Sequence, residues 1–405
     1  MKIGSLIKFH RTKQGLTQQT LADGICSVPH LSKIENNSKE ANEETIRLLL
    51  ERLNIDLQDV EKLEGEIKLL LRRFVDEMYY LEMDQLEKTY NELITKDELI
   101  PFTDQLYLYE LYKARYYLLI HKADKAEKQL KWLTVHKQNF SQLEKHLHTY
   151  ISALALAIRG KVEDAEEQLS YLIENALMSP EMIGEINYNF SVLKSSLNQY
   201  GPSIYYGKNA LQQFKEDFNF IRIVQVQMLL AVNYSRALMF NEALEIYQHL
   251  IRNTMLLNKK EYLPSIYHNM GDMYHMIDKY DMAGEYFSKA MELLPKTSEL
   301  YLLSLHNKGI SEMENKNYVK SKSSFELLNS VSRQIQNTHY QLFSQFYLIK
   351  VSGKIDEAMK YLETKILPYT NKKTELKESH KHFSQLLADY FKEKGQFDKA
   401  LHLLD

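Results

Sequence analysis

Between Pro264 and Pro295 the apolar positions fall on two helical faces, one marked by Tyr267, Met270, Gly271 and Tyr274 and the other by Ala283, Phe287 and Ala290. Two antiparallel helices account for both, with the small residues letting the helices cross closely and larger neighbours filling the gap. The position held by Ala283 recurs at Leu86, Ala126, Ala165, Ser203, Ala243, Ser321, Ala358 and Ala400. Successive spacings across the full set are 40, 39, 38, 40, 40, 38, 37 and 42 residues. Four residues further on stands a bulky side chain such as Leu130, Leu169, Tyr247, Phe325 or Leu362, with Gly207 as the exception. About nine helical hairpins therefore run from roughly residue 66 to the end of the chain.

These offsets resemble the tetratricopeptide repeat. The longer pitch calls for a longer second helix or a longer link in each unit. A hairpin of this kind buries its apolar face only against its neighbours, so the expected form is a right-handed superhelix with a concave inner wall. Positions about 14 residues before the Ala283-type marker point into that groove, and they hold Asn189, Asn269 and Asn307. In the repeat between the first two, Leu229 takes the place and Asn233 follows one turn later. A carboxamide both donates and accepts, so such a row suits the backbone of an extended peptide. Neighbouring inward positions carry Tyr188, Gln225, His268, Asp272, His306, Phe343 and Tyr347, while Arg115 and Arg236 suit a terminal carboxylate. The tyrosine-rich run at 106–117 reads as packing within the array.

The first 60 residues follow another pattern. Ile3 to Gln14 is amphipathic and stopped by Gly15; Thr17 caps a helix to Asp23; Gly24-Ile25-Cys26 turns the chain; Ser27 caps a third helix to Glu35. A fourth, started by Asn42 or a neighbour, ends at Leu53. The stretch GLTQQTLADGICSVPHLSKIEN resembles the helix-turn-helix of phage-repressor-type regulators, through Gly15-Leu16-Thr17-Gln18, Leu21-Ala22, Ser27, Leu31-Ser32, Ile34 and Glu35. It implies a helix from Ser27 to Lys33 in the DNA major groove, with Val28, Pro29, His30 and Lys33 toward the bases. Gln18, Arg11, Lys13, Asn37 and Lys39 would hold phosphates. Residues 1–39 carry six Lys/Arg against Asp23 and Glu35, whereas residues 40–60 carry two against six acids. The local basic surplus is thus offset within the domain, which favours a dimer reading two half-sites of a palindromic operator.

The joined layout resembles the Rap, Rgg, NprR, PlcR and PrgX group of peptide-pheromone regulators, known as RRNPP, and is nearest to its NprR/PlcR type. That resemblance implies an all-α chain with a helix-turn-helix domain at 1–60, a linker helix at 61–70 and a peptide-sensing repeat domain at 71–405. It also implies quorum-sensing transcription control, switched by a short re-imported peptide. The alternative is a Rap-like regulator that sequesters or dephosphorylates a response regulator, alone or as a second role. Gly65 is the expected weak point of the joint. The remaining features narrow the classes. A net charge of −3 gives no global attraction to a polyanion or membrane, and a single cysteine excludes an internal disulfide. No apolar run is long enough for a membrane span and the first residues lack a signal peptide's core, so a cytoplasmic chain is expected. Phosphate-loop, nucleophile-elbow and metal-ligand motifs are missing, so neither enzyme activity nor a metal or other cofactor is expected.

Overall fold

The computed structural model describes residues 2–38, 41–175, 180–373 and 376–403. Within them the chain is helical, with no strand. Four short helices come first: α1 (Ile3–Lys13), α2 (Gln18–Ala22), α3 (Val28–Glu35) and α4 (Glu43–Arg52). Their starts follow local chemistry. The side-chain oxygens of Thr17, Ser27 and Asn42 accept from the backbone N–H groups of Thr20, His30 and Thr45, so each helix gains a partner for an otherwise unpaired donor. Gly15 and Gly24 take φ of 72° and 68°, the left-handed conformation that stops one helix and turns the chain toward the next. Leu6, Ile7, Leu21, Leu31, Ile34, Leu49 and Leu50 form one core, joined by Val60.

Next comes α5 (Leu57–Tyr79), a continuous 23-residue helix. It passes through Gly65 and the stretch 61–70 unbroken, so the expected joint is part of the first hairpin's own helix. Helices then alternate in antiparallel pairs: α6 (Met83–Ile94), α7 (Leu106–Leu119), α8 (Ala123–Val135), α9 (Gln142–Ile158), α10 (Val162–Asn175), α11 (Pro180–Ser196), α12 (Tyr200–Glu216), α13 (Phe220–Arg236) and α14 (Phe240–Leu256). The series continues with α15 (Leu263–Met276), α16 (Tyr280–Glu292), α17 (Glu299–Glu314), α18 (Tyr318–Gln334), α19 (Thr338–Val351) and α20 (Ile355–Tyr361). After a π-helical turn at Leu362–Ile366 it closes with α21 (Leu367–Thr370), α22 (Lys377–Glu393) and α23 (Phe397–Leu401).

All nine recurring marker positions are buried on the second helices, from Leu86 to Ala400. A side chain added at Gly271 would lie 2.6 Å from the Phe287 ring, and one at Gly309 would lie 2.8 Å from Phe325, so at these two sites close crossing requires glycine. The extra length per repeat is found in both expected places. The second helices α12, α14 and α18 reach 17 residues each, as do the first helices α11 and α13, and single 3₁₀ turns lengthen the links at Ile100–Phe102, Lys137–Asn139 and Lys260–Tyr262.

The chain divides into two compact units within α12 and α13. One comprises 1–197 and 208–223; the other comprises 198–207 and 224–405. In the first unit, the four-helix head rests on the first hairpin. Phe102 and Leu99 pack on its core, the Lys2 N–H donates to the Phe102 carbonyl at 2.6 Å, and Lys13 pairs with Glu98 at 2.7 Å. No described helix is long and apolar enough to cross a membrane.

Candidate functional site

The head presents the first turn of α3. Val28 is 38% exposed, Pro29 and Lys33 are exposed, and His30 is half-buried. Ser27 caps this turn and Pro29 sits where its missing N–H costs nothing, so the backbone N–H groups and positive helix end face outward with these side chains. The supporting residues behave otherwise. Arg11, expected on a phosphate, is buried: its Nε and Nη2 donate to the two Glu35 carboxylate oxygens at 2.6 and 3.0 Å, and its Nη1 donates to the Leu16 carbonyl. Glu35 holds the Arg11 guanidinium above even its usual high pKa. Gln18 is drawn in as well, donating to Glu35 at 2.8 Å. Both residues therefore join α1, α2 and α3 instead of reaching outward. Lys13 is exposed but ion-paired with Glu98, and Asn37, at φ 51°, donates to Ser5. Lys39 lies outside the described residues.

In the second unit the expected peptide residues separate into two sets. Asn269, Arg236 and Asp272 line one small cavity of about 30 Å³ together with Ser235 and Tyr247. Arg236 is exposed and Asn269 half-buried, and neither has a hydrogen-bond or ion-pair partner among the described residues. Asn307 donates to Asp272 at 2.9 Å. His268, buried, lies 3.4 Å from the same carboxylate and hydrogen-bonds Ser304 at 2.9 Å. Burial lowers the pKa of His268, and Asp272 opposes the shift. Gln225 is half-buried on α13.

The other set is internal. Asn233 is fully buried, donating to the Leu229 carbonyl in the preceding turn of its own helix, so no guest chain can reach its amide. His306, Phe343 and Tyr347 are core residues. The imidazole is surrounded by the rings of Phe325, Tyr340, Phe343 and Tyr347, and burial drives its pKa down to about 3. His306 and Phe343 stand one residue before the Asn register, a rotation of about 100° that turns them into the hairpin, and Tyr347 follows Phe343 by one helical turn on the same face.

In the first unit Asn189 lies in a larger cavity of about 450 Å³ between α7, α9 and α11 and the start of α13. Its Nδ2 donates to the Tyr150 hydroxyl at 2.9 Å and to the Glu185 carbonyl at 2.8 Å. Arg115 is not open to a guest carboxylate: its Nη2 donates to Glu185 Oε2 at 2.7 Å, and Tyr150 donates to the same oxygen at 3.1 Å. Burial opposes the charge on Arg115, and Glu185 with the surrounding tyrosine hydroxyls outweighs it. Arg222 Nη2 stands 2.7 Å from Glu185 Oε1, an ion pair out of hydrogen-bonding alignment. The Arg222 guanidinium also lies 5.2 Å from the centre of the Tyr188 ring. Sequence reasoning missed Tyr150, Glu185 and Arg222. Glu185 lies one helical turn before Asn189 on the same face, and that neighbouring register was the available signal.

Among the described residues no cluster of His, Cys, Asp and Glu could hold a metal. The class follows from the head: residues 7–60 match the helix-turn-helix family model. Over 396 residues, 94% of this chain and 96% of the other, the chain is 24% identical to the transcriptional activator NprA of Geobacillus stearothermophilus. Its fold is similar to the apo form of the quorum sensor NprR from B. thuringiensis, with a TM-score of 0.69 and 19% identity over 84% of this chain and 97% of that one. It is also similar to NprR in complex with its cognate peptide NprX, with a TM-score of 0.62 and 19% identity over 84% and 99% of the two chains. The chain thus carries a helix-turn-helix ahead of tetratricopeptide-like hairpins, the fold it shares with these solved structures, and is similar over nearly its whole length to a transcriptional activator.

Proposed function

We propose that this chain is a cytoplasmic quorum-sensing regulator that binds a palindromic promoter site as a dimer and is switched by a short linear peptide. In this reading residues 1–60 read DNA, 61–70 join and 71–405 sense. Val28, Pro29, His30 and Lys33 meet the bases, with Lys13 and Asn37 toward phosphates. The hairpin side chains that would meet a peptide are Asn269, Arg236, Asn307 and Gln225 in one unit and Asn189 with Tyr188 in the other. The observation that carries the proposal is the pairing of an outward-facing reader turn with Asn269 and Arg236, whose polar groups are not satisfied internally.

Such a switch has an energetic scale. Moving a population from about 1% to 99% of one form requires the peptide to prefer that form by about 5.5 kcal/mol. A few amide pairs at about 1 kcal/mol each, together with buried apolar side chains, reach that range. Nuclease protection of the gene's own upstream region, with and without peptides from spent culture medium, tests both halves. A protected segment whose occupancy changes with the peptide fraction is the expected result. No protection would refute the DNA role, and protection indifferent to every peptide fraction would refute the sensing role.

A further inference from the structure

We propose that Lys350 is a covalent binding site for a small uncharged aldehyde, which it takes up as an imine from the cavity beside it. Lys350 stands near the end of α19 and lines a cavity of about 640 Å³ with Met313, Glu314, Tyr318, Val351 and Ile355. Its side chain is half-buried, and its ammonium has no hydrogen-bond or ion-pair partner among the described residues. Lys113 and Lys194 are half-buried as well, but Asp97 and Glu166 hold them. An amine kept from water without a close carboxylate gains less from its proton, so a larger share of it carries a free lone pair. Burial lowers the Lys350 pKa, with Glu314 opposing the shift. His382 on α22 also senses the Lys350 charge, which adds to burial in lowering its own pKa.

The cavity selects among electrophiles. Met313, Val351 and Ile355 offer apolar surface to a short alkyl chain, and Glu314 repels anions such as acyl phosphates and keto acids. A neutral aldehyde avoids that repulsion. The Lys350 nitrogen attacks the carbonyl carbon, a C–N bond forms, and the carbonyl oxygen takes up a proton as the nitrogen gives one up. The carbinolamine then loses water to leave a C=N bond, with no oxidant or further reactant. Water reverses the step, so occupancy follows the aldehyde concentration.

The test is incubation of the full chain with butanal and cyanoborohydride, which reduces an imine to a stable secondary amine, followed by peptide mass mapping. At about pH 7.5 Lys350 should be alkylated about five-fold faster than the exposed, ion-paired Lys354. The advantage should shrink as the pH approaches about 10.4, where ordinary lysines also lose their protons. Glu314→Gln, at an exposed position, removes the carboxylate that favours the charged amine and should speed the labelling. Ile355→Trp narrows the cavity and should slow it. Measured against Lys354, the anionic aldehyde glyoxylate should show less preference for Lys350 than butanal does. Equal labelling of Lys350 and Lys354 by butanal overturns the proposal, as does an advantage that neither pH nor either substitution alters, or a greater preference with glyoxylate.

Discussion

Glu35 in the reader head and Glu185 in the hairpins are both buried carboxylates held by arginine, yet they are finished to different degrees. Glu35 accepts from Arg11 through two nitrogens and from Gln18 as well, and its surroundings are the packed core of three helices. Glu185 has one oxygen bonded to Arg115 and Tyr150, while the other meets Arg222 out of alignment beside a cavity. The first arrangement has no capacity left for a ligand; the second does. Burial and charge are therefore insufficient to mark a binding site, and the discriminating feature is unspent hydrogen-bonding capacity next to open volume.

The largest expected effect tests that contrast directly. Glu35→Ala strands the Arg11 guanidinium inside the head and should cost about 3–5 kcal/mol. Denaturant melts of the full chain should show early loss of the head, with DNA binding lost. Glu185→Gln retains hydrogen-bonding groups beside a cavity that water can enter, and should cost less. Equal costs would break the comparison.

A third buried polar group, His306, extends it to the second unit. Its folded pKa of about 3 lies below the unfolded value, so the unfolded state binds the extra proton between these limits. The stability contribution is complete above about pH 6.5 and falls as the pH drops. At about 1.4 kcal/mol per pH unit, moving from pH 6.5 to 5.0 should cost about 2 kcal/mol. Urea melts at both values should show this, and His306→Phe should flatten the dependence.

Smaller effects probe the side chains proposed to meet DNA or peptide. Lys33→Ala should reduce discrimination between operator and unrelated DNA about ten-fold, or roughly 1.4 kcal/mol, in competition binding. Asn269→Ala should weaken the peptide response by about 1 kcal/mol with helicity unchanged. Asn233→Ala should instead show its effect in the melting temperature, since that amide is enclosed. The least change is expected from Lys13→Ala, which should lower the slope of log affinity against log salt by about one; no change would mean that Glu98 keeps Lys13 from the phosphates.

Much of the fold was legible because its determinants are local. Thr17, Ser27 and Asn42 signal helix starts by their own side-chain chemistry, and the Ala283-type positions repeat at a readable pitch. Site residues were harder. Arg11 and Glu35 are 24 residues apart and Arg115 and Glu185 are 70 apart, so their pairing depends on tertiary packing that composition and periodicity do not encode. His306 stands beside Asn307 in sequence, but one step around the helix separates a core ring from a side chain bonded to Asp272.

The uninterrupted α5 helix has a mechanical consequence. Its Val60 is part of the head's core, and its Ile67, Leu71 and Phe74 are part of the first hairpin's core, so one rod of roughly 34 Å is clamped at both ends. Torque on the hairpin end thus arrives at the DNA-facing end as rotation, without slack. A small change of pitch in that hairpin would re-aim the first turn of α3 like a crank, which in the proposed dimer would alter the half-site separations that two copies span.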